Sequence, residues 1–126
     1  MDREWHFGNP QDRLLRIVNH ERNLGATRNY NSGLALATGE FVTFVVSDDI
    51  PHPAMISTLA SEMNRTAADF VYSDMLIVDD AGRIIRKFAL PDFDFERSLA
   101  DWYLCGVSKL FRRSLVEQWG PFDPAF

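Results

Sequence analysis

Gly39-Glu40-Phe41-Val42-Thr43-Phe44-Val45-Val46-Ser47-Asp48-Asp49 is the stretch on which the fold turns. Residues 41–46 are β-branched or aromatic and show no polar alternation. That composition suits a central strand covered on both faces, as in parallel α/β sheets. Two acids close the run, and Pro51 and Pro53 follow. Proline is tolerated at a helix start because the N–H it lacks has no partner there. Strand, acidic turn and helix therefore succeed one another within a few residues. In open α/β sheets the ligand crevice lies beyond the carboxyl ends of the strands, which is where Asp48 and Asp49 fall.

The flanking segments fit the same plan. Leu14-Leu15-Arg16-Ile17-Val18 is an apolar run of strand length, preceded by an irregular lead-in over residues 1–13 that holds Gly8, Asn9 and Pro10. After the break at Asn23-Leu24-Gly25, the positions Ala26, Tyr30, Gly33/Leu34 and Ala37 recur at helical spacing, with Gly39 as a C′ glycine. Ile56, Leu59, Ala60 and Met63 mark a second helix, and Asp69 to Tyr72 a second strand. Met75 to Phe88 reads as a hairpin around Asp79-Asp80-Ala81-Gly82. Asp94 is placed to cap a third helix bearing Leu99, Trp102 and Tyr103, and Val107 to Phe111 forms a further strand. Ser114-Leu115-Val116-Glu117 has the form of a capping box opening a last helix that stops at Gly120-Pro121. The alternation predicts an α/β layered domain with a mainly parallel sheet, flanking helices and a β-hairpin insertion.

Composition narrows the partners. The chain has 126 residues, with 46% hydrophobic and 25% charged, which fits one globular domain. Its formal charge of −5 argues against a duplex nucleic-acid partner. No apolar run reaches the ~20 residues of a spanning helix, and the N-terminal residues lack a signal-peptide core, so a cytoplasmic location is expected. The single cysteine, Cys105, allows no internal disulfide and reads as a small buried hydrophobe. His6, His20 and His52 are too scattered for a histidine zinc pair. Arg112-Arg113 reads as a solvated strand end, and Phe88, Phe93, Phe95, Trp102 and Tyr103 as packing between hairpin and third helix.

A carboxylate beside a diphosphate is repulsive unless a divalent cation lies between them. Mg²⁺ or Mn²⁺ binds through one or two carboxylates plus phosphate oxygens. Asp48 and Asp49 therefore admit a metal–diphosphate role, and equally a solvated strand-end turn in which one of them holds the loop or caps the helix starting near Pro53.

Asn23-Leu24-Gly25, Asn31 with Gly33, Gly39-Glu40 before the strand, and Ser47-Asp48-Asp49 with Pro53 together resemble the family 2 glycosyltransferases of the GT-A fold. Tyr72-Ser73-Asp74, Leu90-Pro91-Asp92-Phe93, Phe111 to Val116 and Gly120-Pro121-Phe122-Asp123 continue the likeness, which covers roughly Leu15 to Phe126. The resemblance implies a partial GT-A domain over 14–126 that belongs to an inverting enzyme. Such an enzyme transfers a sugar from a nucleotide-diphosphate sugar to an acceptor hydroxyl of a glycan or other molecule. It assigns Asn23, Gly25, Asn31, Ser47, Asp48 and Asp49 to the donor side, Asp48 and Asp49 to Mg²⁺ or Mn²⁺, and Gly120, Phe122 and Asp123 to an acceptor-side loop.

Departures accompany the likeness. The first acid of the family's Asp-x-Asp motif falls at Val46, Asn29-Tyr30 stands for Ala-Arg, and Pro121 replaces a glycine. The nucleoside-binding strands and the Glu-Asp that supplies the acceptor base have no counterpart, so the base is expected beyond Phe126 and the chain is expected to be an internal piece of a longer domain. Unpaired strand edges then imply homodimerisation. Two alternatives stand beside this reading: a non-catalytic sugar- or partner-binding remnant, and a metal-dependent phospho- or nucleotidyl transferase.

Overall fold

The computed structural model describes residues 16–125. The lead-in over 1–13, with Leu14 and Leu15, lies outside the described residues. The order of elements is α1 (Ala26–Leu36), β1 (Phe41–Val42), α2 (Met55–Thr66), β2 (Phe70–Tyr72), β3 (Met75–Val78), β4 (Ile84–Phe88), α3 (Phe95–Ala100), a 3₁₀ turn (Trp102–Cys105), β5 (Lys109–Arg112) and α4 (Ser114–Trp119).

Two sheets form. One has the order β1-β5-β2, and the other is the β3-β4 hairpin. In the first, Phe41 faces Arg112 and Val42 faces Phe111, while Val71 faces Leu110. Both ladders are antiparallel, which corrects the expectation of a mainly parallel sheet. β1 and β2 do run the same way, but β5 enters between them in the opposite direction. Helical crossover links such as α2 make neighbouring strands parallel only when no returning strand inserts.

Helices cover both faces of this sheet. On one side Leu59 and Met63 of α2 meet Val71 and Leu110, with Phe41 against them. On the other, Leu34 of α1 meets Val42 and Phe111, joined by Phe44, Leu115 and Val116. Period-two alternation explains the split: Phe41 and Leu110 face α2, while Val42 and Phe111 face α1 and α4. Met63 is wholly buried. Burying one such side chain contributes ~1.5–3 kcal/mol.

Several local expectations change. The described part of the Leu14–Val18 run, Arg16 to Val18, forms no strand. The strand expected over 41–46 pairs only at Phe41–Val42. Beyond it the Thr43 hydroxyl donates to Lys109 O (2.6 Å), so a side chain takes a carbonyl on β5 next to the ladder. Val45 is 53% exposed, so the end of the run is not covered on both faces. α1 ends at Ala37 in an extended conformation rather than at Gly39. The capping box does not form, because Arg113 is the N-cap of α4 and Glu117 pairs with the Arg113 guanidinium. Trp102 belongs to the 3₁₀ turn, not to α3. Phe93 and Phe95 are 61% and 66% exposed, contrary to core packing.

The hairpin and the Asp94 cap form as read. Asp94 Oδ1 accepts from the Arg97 N–H (2.8 Å). Asp79 Oδ1 accepts from the Ala81 and Arg83 N–H groups (3.0 and 2.9 Å), an Asx-type closure of the turn.

Candidate functional site

The Asn23-Leu24-Gly25 break is a built turn. Asn23 Oδ1 accepts from the Gly25 N–H at 2.8 Å. Gly25 sits at φ +77°, a conformation that L side chains resist, and it is the N-cap of α1. The turn borders a shallow groove of about 310 Å³ lined by His20, Arg22, Asn23, Gly25 and Asn29 among others. Asn23 and Gly25 thus stand at the N-terminal end of α1, whose dipole favours a negatively charged ligand.

Past β1, the chain turns at Ser47-Asp48, and the Asp49 N–H donates to Val46 O (3.2 Å). Ser47, Asp48 and Asp49 are all exposed. Among the described residues, neither carboxylate is engaged in a hydrogen bond or ion pair. Neither Asp48 nor Asp49 caps α2: the helix starts at Met55 with Ala54 as N-cap, and the preceding turn is closed by His52, whose Nδ1 accepts from the Ala54 N–H (3.1 Å).

Most other acids have structural partners. Glu40 and Asp69 hold Arg112 from either side, at 2.7 and 3.3 Å, while its guanidinium lies 5.2 Å from the Phe41 ring centre. Arg113 Nε donates to Gly39 O (2.9 Å). The arginine pair is therefore a clasp between β5 and the Gly39-Glu40 entry to β1, not a solvated end. Asp74 accepts from Lys87 Nζ (2.7 Å) and the Leu90 N–H (2.9 Å). Both contacts hold its carboxyl below the usual carboxylate range, the lysine contact most. Tyr72 donates its hydroxyl to Pro91 O (2.7 Å), and burial pushes that phenol up.

Asn31 of α1 meets the 120–123 loop. Asn31 Nδ2 donates to Phe122 O (2.7 Å), and Asn31 Oδ1 accepts from the Phe122 N–H (3.0 Å). The Phe122 ring lies 6.1 Å from that of Phe44, which is 4.7 Å from Tyr30 and 5.9 Å from Phe111. Gly120 ends α4 at φ +86°, and Asp123 Oδ1 accepts from the Ala125 N–H (2.8 Å). Sequence reading missed the Asn31–Phe122 contact, which joins positions 91 apart.

The donor set suits a hard cation only in part. No group of three or more His, Cys, Asp or Glu side chains converges among the described residues. Two exposed carboxylates stand in the turn past β1, the oxygen chemistry that a hard cation uses when other oxygens complete its shell. No helix among the described residues is long and apolar enough to cross a membrane.

Comparisons with known proteins show the family. The family description that matches residues 4–120 is Glycosyl transferase family 2. Glycosyltransferase GlyG of Streptococcus pneumoniae is 35% identical, with 86% of this chain and 41% of that protein covered. The GalNAc(5)-diNAcBac-PP-undecaprenol beta-1,3-glucosyltransferase of Campylobacter jejuni is 32% identical over 84% of this chain and 36% of its own length. The uncharacterized glycosyltransferase YwdF of Bacillus subtilis is 28% identical, with 86% and 42% covered. The chain thus spans about two fifths of the length of these relatives. Matched to this family over residues 4–120, the chain belongs to glycosyl transferase family 2.

Proposed function

We propose that this chain forms part of a glycosyltransferase that moves a sugar from a nucleotide-diphosphate sugar to an acceptor hydroxyl, with Mg²⁺ or Mn²⁺ assistance. The observation that carries this reading is the exposed pair Asp48 and Asp49, without partners among the described residues, while Glu40, Asp74, Asp79, Asp94 and Glu117 all hold the fold. Asp48 and Asp49 would hold the cation, which supplies Lewis-acid stabilisation of the departing diphosphate. Asn23 and Gly25 shape the groove at the start of α1 on the donor side, with Ser47 in the turn beside the acids. Gly120, Phe122 and Asp123 form the loop on the acceptor side. The named activity of the Campylobacter relative, a glucosyl transfer onto a glycan, supports a sugar hydroxyl as the acceptor class.

Product analysis of the protein that carries this chain separates the readings. Incubated with Mn²⁺ and uridine- or guanosine-diphosphate sugars, it should release the nucleoside diphosphate. Pyrophosphate or phosphate released from a nucleoside triphosphate would instead mark a phospho- or nucleotidyl transferase. Nucleotide binding with neither product would mark a non-catalytic remnant.

A further inference from the structure

One side chain on α1 satisfies both main-chain polar groups of one loop residue. The Asn31 amide donates to Phe122 O and accepts from the Phe122 N–H, at 2.7 and 3.0 Å. Only a primary amide offers a donor and an acceptor side by side; a carboxylate would turn a lone pair toward the Phe122 carbonyl. The Phe122 ring leans on Phe44, four residues before Asp48. Phe44 is in turn held by Tyr30 from α1 and Phe111 from β5. The loop entrance is fixed by Gly120 and Pro121, and its exit by the Asp123–Ala125 turn. The 120–123 loop thus hangs from α1 through its backbone, and from the segment bearing the acidic pair through a ring contact.

We propose that Asn31 is a positioning residue that sets where the main chain of 121–123 stands relative to Asp48 and Asp49. It acts through Phe122 and does not contact the donor. The Asn31 amide spends one N–H and one oxygen lone pair on Phe122, which ties it to the loop, while the Asn23-Gly25 groove and the acidic turn lie on other segments. The functional half of this inference rests on the transferase reading above.

Paramagnetic broadening of backbone amide resonances by Mn²⁺ with uridine diphosphate tests both halves. In the unaltered chain, amides of 46–50 should broaden most, and those of Phe122 and Asp123 less. In Asn31→Ala the loop amides should shift, and their broadening should change by at least about twofold, with 46–50 and the nucleotide affinity unchanged. Asn31→Asp keeps the size and the acceptor atom; it should move the Phe122 resonance and give an intermediate change, and it stands in for the alanine variant should that not fold. Broadening at 46–50 with the loop unaffected by either variant overturns the positioning role, as does a tenfold loss of nucleotide affinity in Asn31→Asp. Absence of broadening at 46–50 in the unaltered chain overturns the transferase reading, and the positioning role with it.

Discussion

Leu90 occupies the space that a side chain on residue 106 would need. A Cβ built on Gly106 would stand 2.6 Å from Leu90 Cδ1 and 3.4 Å from Ser73 O, and Gly106 holds φ +59°. Leu90 thus lies close over Gly106, at the end of the hairpin where Asp74 accepts from the Leu90 N–H and Tyr72 donates to Pro91 O. Gly106→Ala should therefore cost more than conformational strain alone. Gly82 has a similar φ of +75° but open space around it. We expect Gly82→Ala to cost ~1–2 kcal/mol, the left-handed penalty, and Gly106→Ala to cost about twice that. Urea denaturation of both variants checks the order; equal losses would show that Leu90 yields freely.

The hairpin should be the acid-sensitive part of the molecule. Asp79 is held below the usual carboxylate range by the Arg83 side chain first, then by the Arg83 N–H. Asp74 is held down by Lys87 and the Leu90 N–H. A depressed folded pKa gives stabilisation that is present above the unfolded value, about 3.9, and lost as pH falls through the lower folded value. Amide exchange followed from about pH 5 downward should show Gly82 and Arg83 losing protection before Leu110 and Phe111. Simultaneous loss in both sheets would contradict this.

Self-association is expected through strand edges. β1 and β2 are the outer strands of the main sheet, and each hairpin strand has one edge without a strand partner among the described residues. Leu76, Ile84 and Ile85 on the hairpin are 53%, 64% and 66% exposed, an apolar edge of the kind that pairs with another chain. Sedimentation velocity should show a concentration-dependent dimer that Ile84→Lys weakens. A monomer at every concentration would sink the expectation.

Elements set by local chemistry were legible in the sequence. Leu59 and Met63 at helical spacing do face the sheet, and Asp94 does cap α3. The hairpin is closed by Asp79, whose carboxylate reaches its own turn. What failed depended on distant neighbours. Strand direction around β5 follows from Phe41 meeting Arg112, positions 71 apart, which no local pattern encodes. The Ser114–Glu117 box was lost because Arg113, one residue earlier, offered Glu117 a charge. In the site, the exposed turn at Asp48 and Asp49 was legible from the two acids followed by Pro51 and Pro53. The clasp of Asn31 on Phe122 was not, because it joins a helix to a loop at the far end of the chain.

On the proposed function, Asp48 grips a divalent cation against a nucleoside diphosphate. Calorimetric titration of uridine and guanosine diphosphates, with and without Mn²⁺, measures it directly. Mn²⁺-dependent binding of one of the two is expected, weakened by Asp48→Ala about tenfold or more, an interaction energy of ~1.4 kcal/mol at least. Binding that is indifferent to Mn²⁺, or that survives Asp48→Ala undiminished, would contradict it.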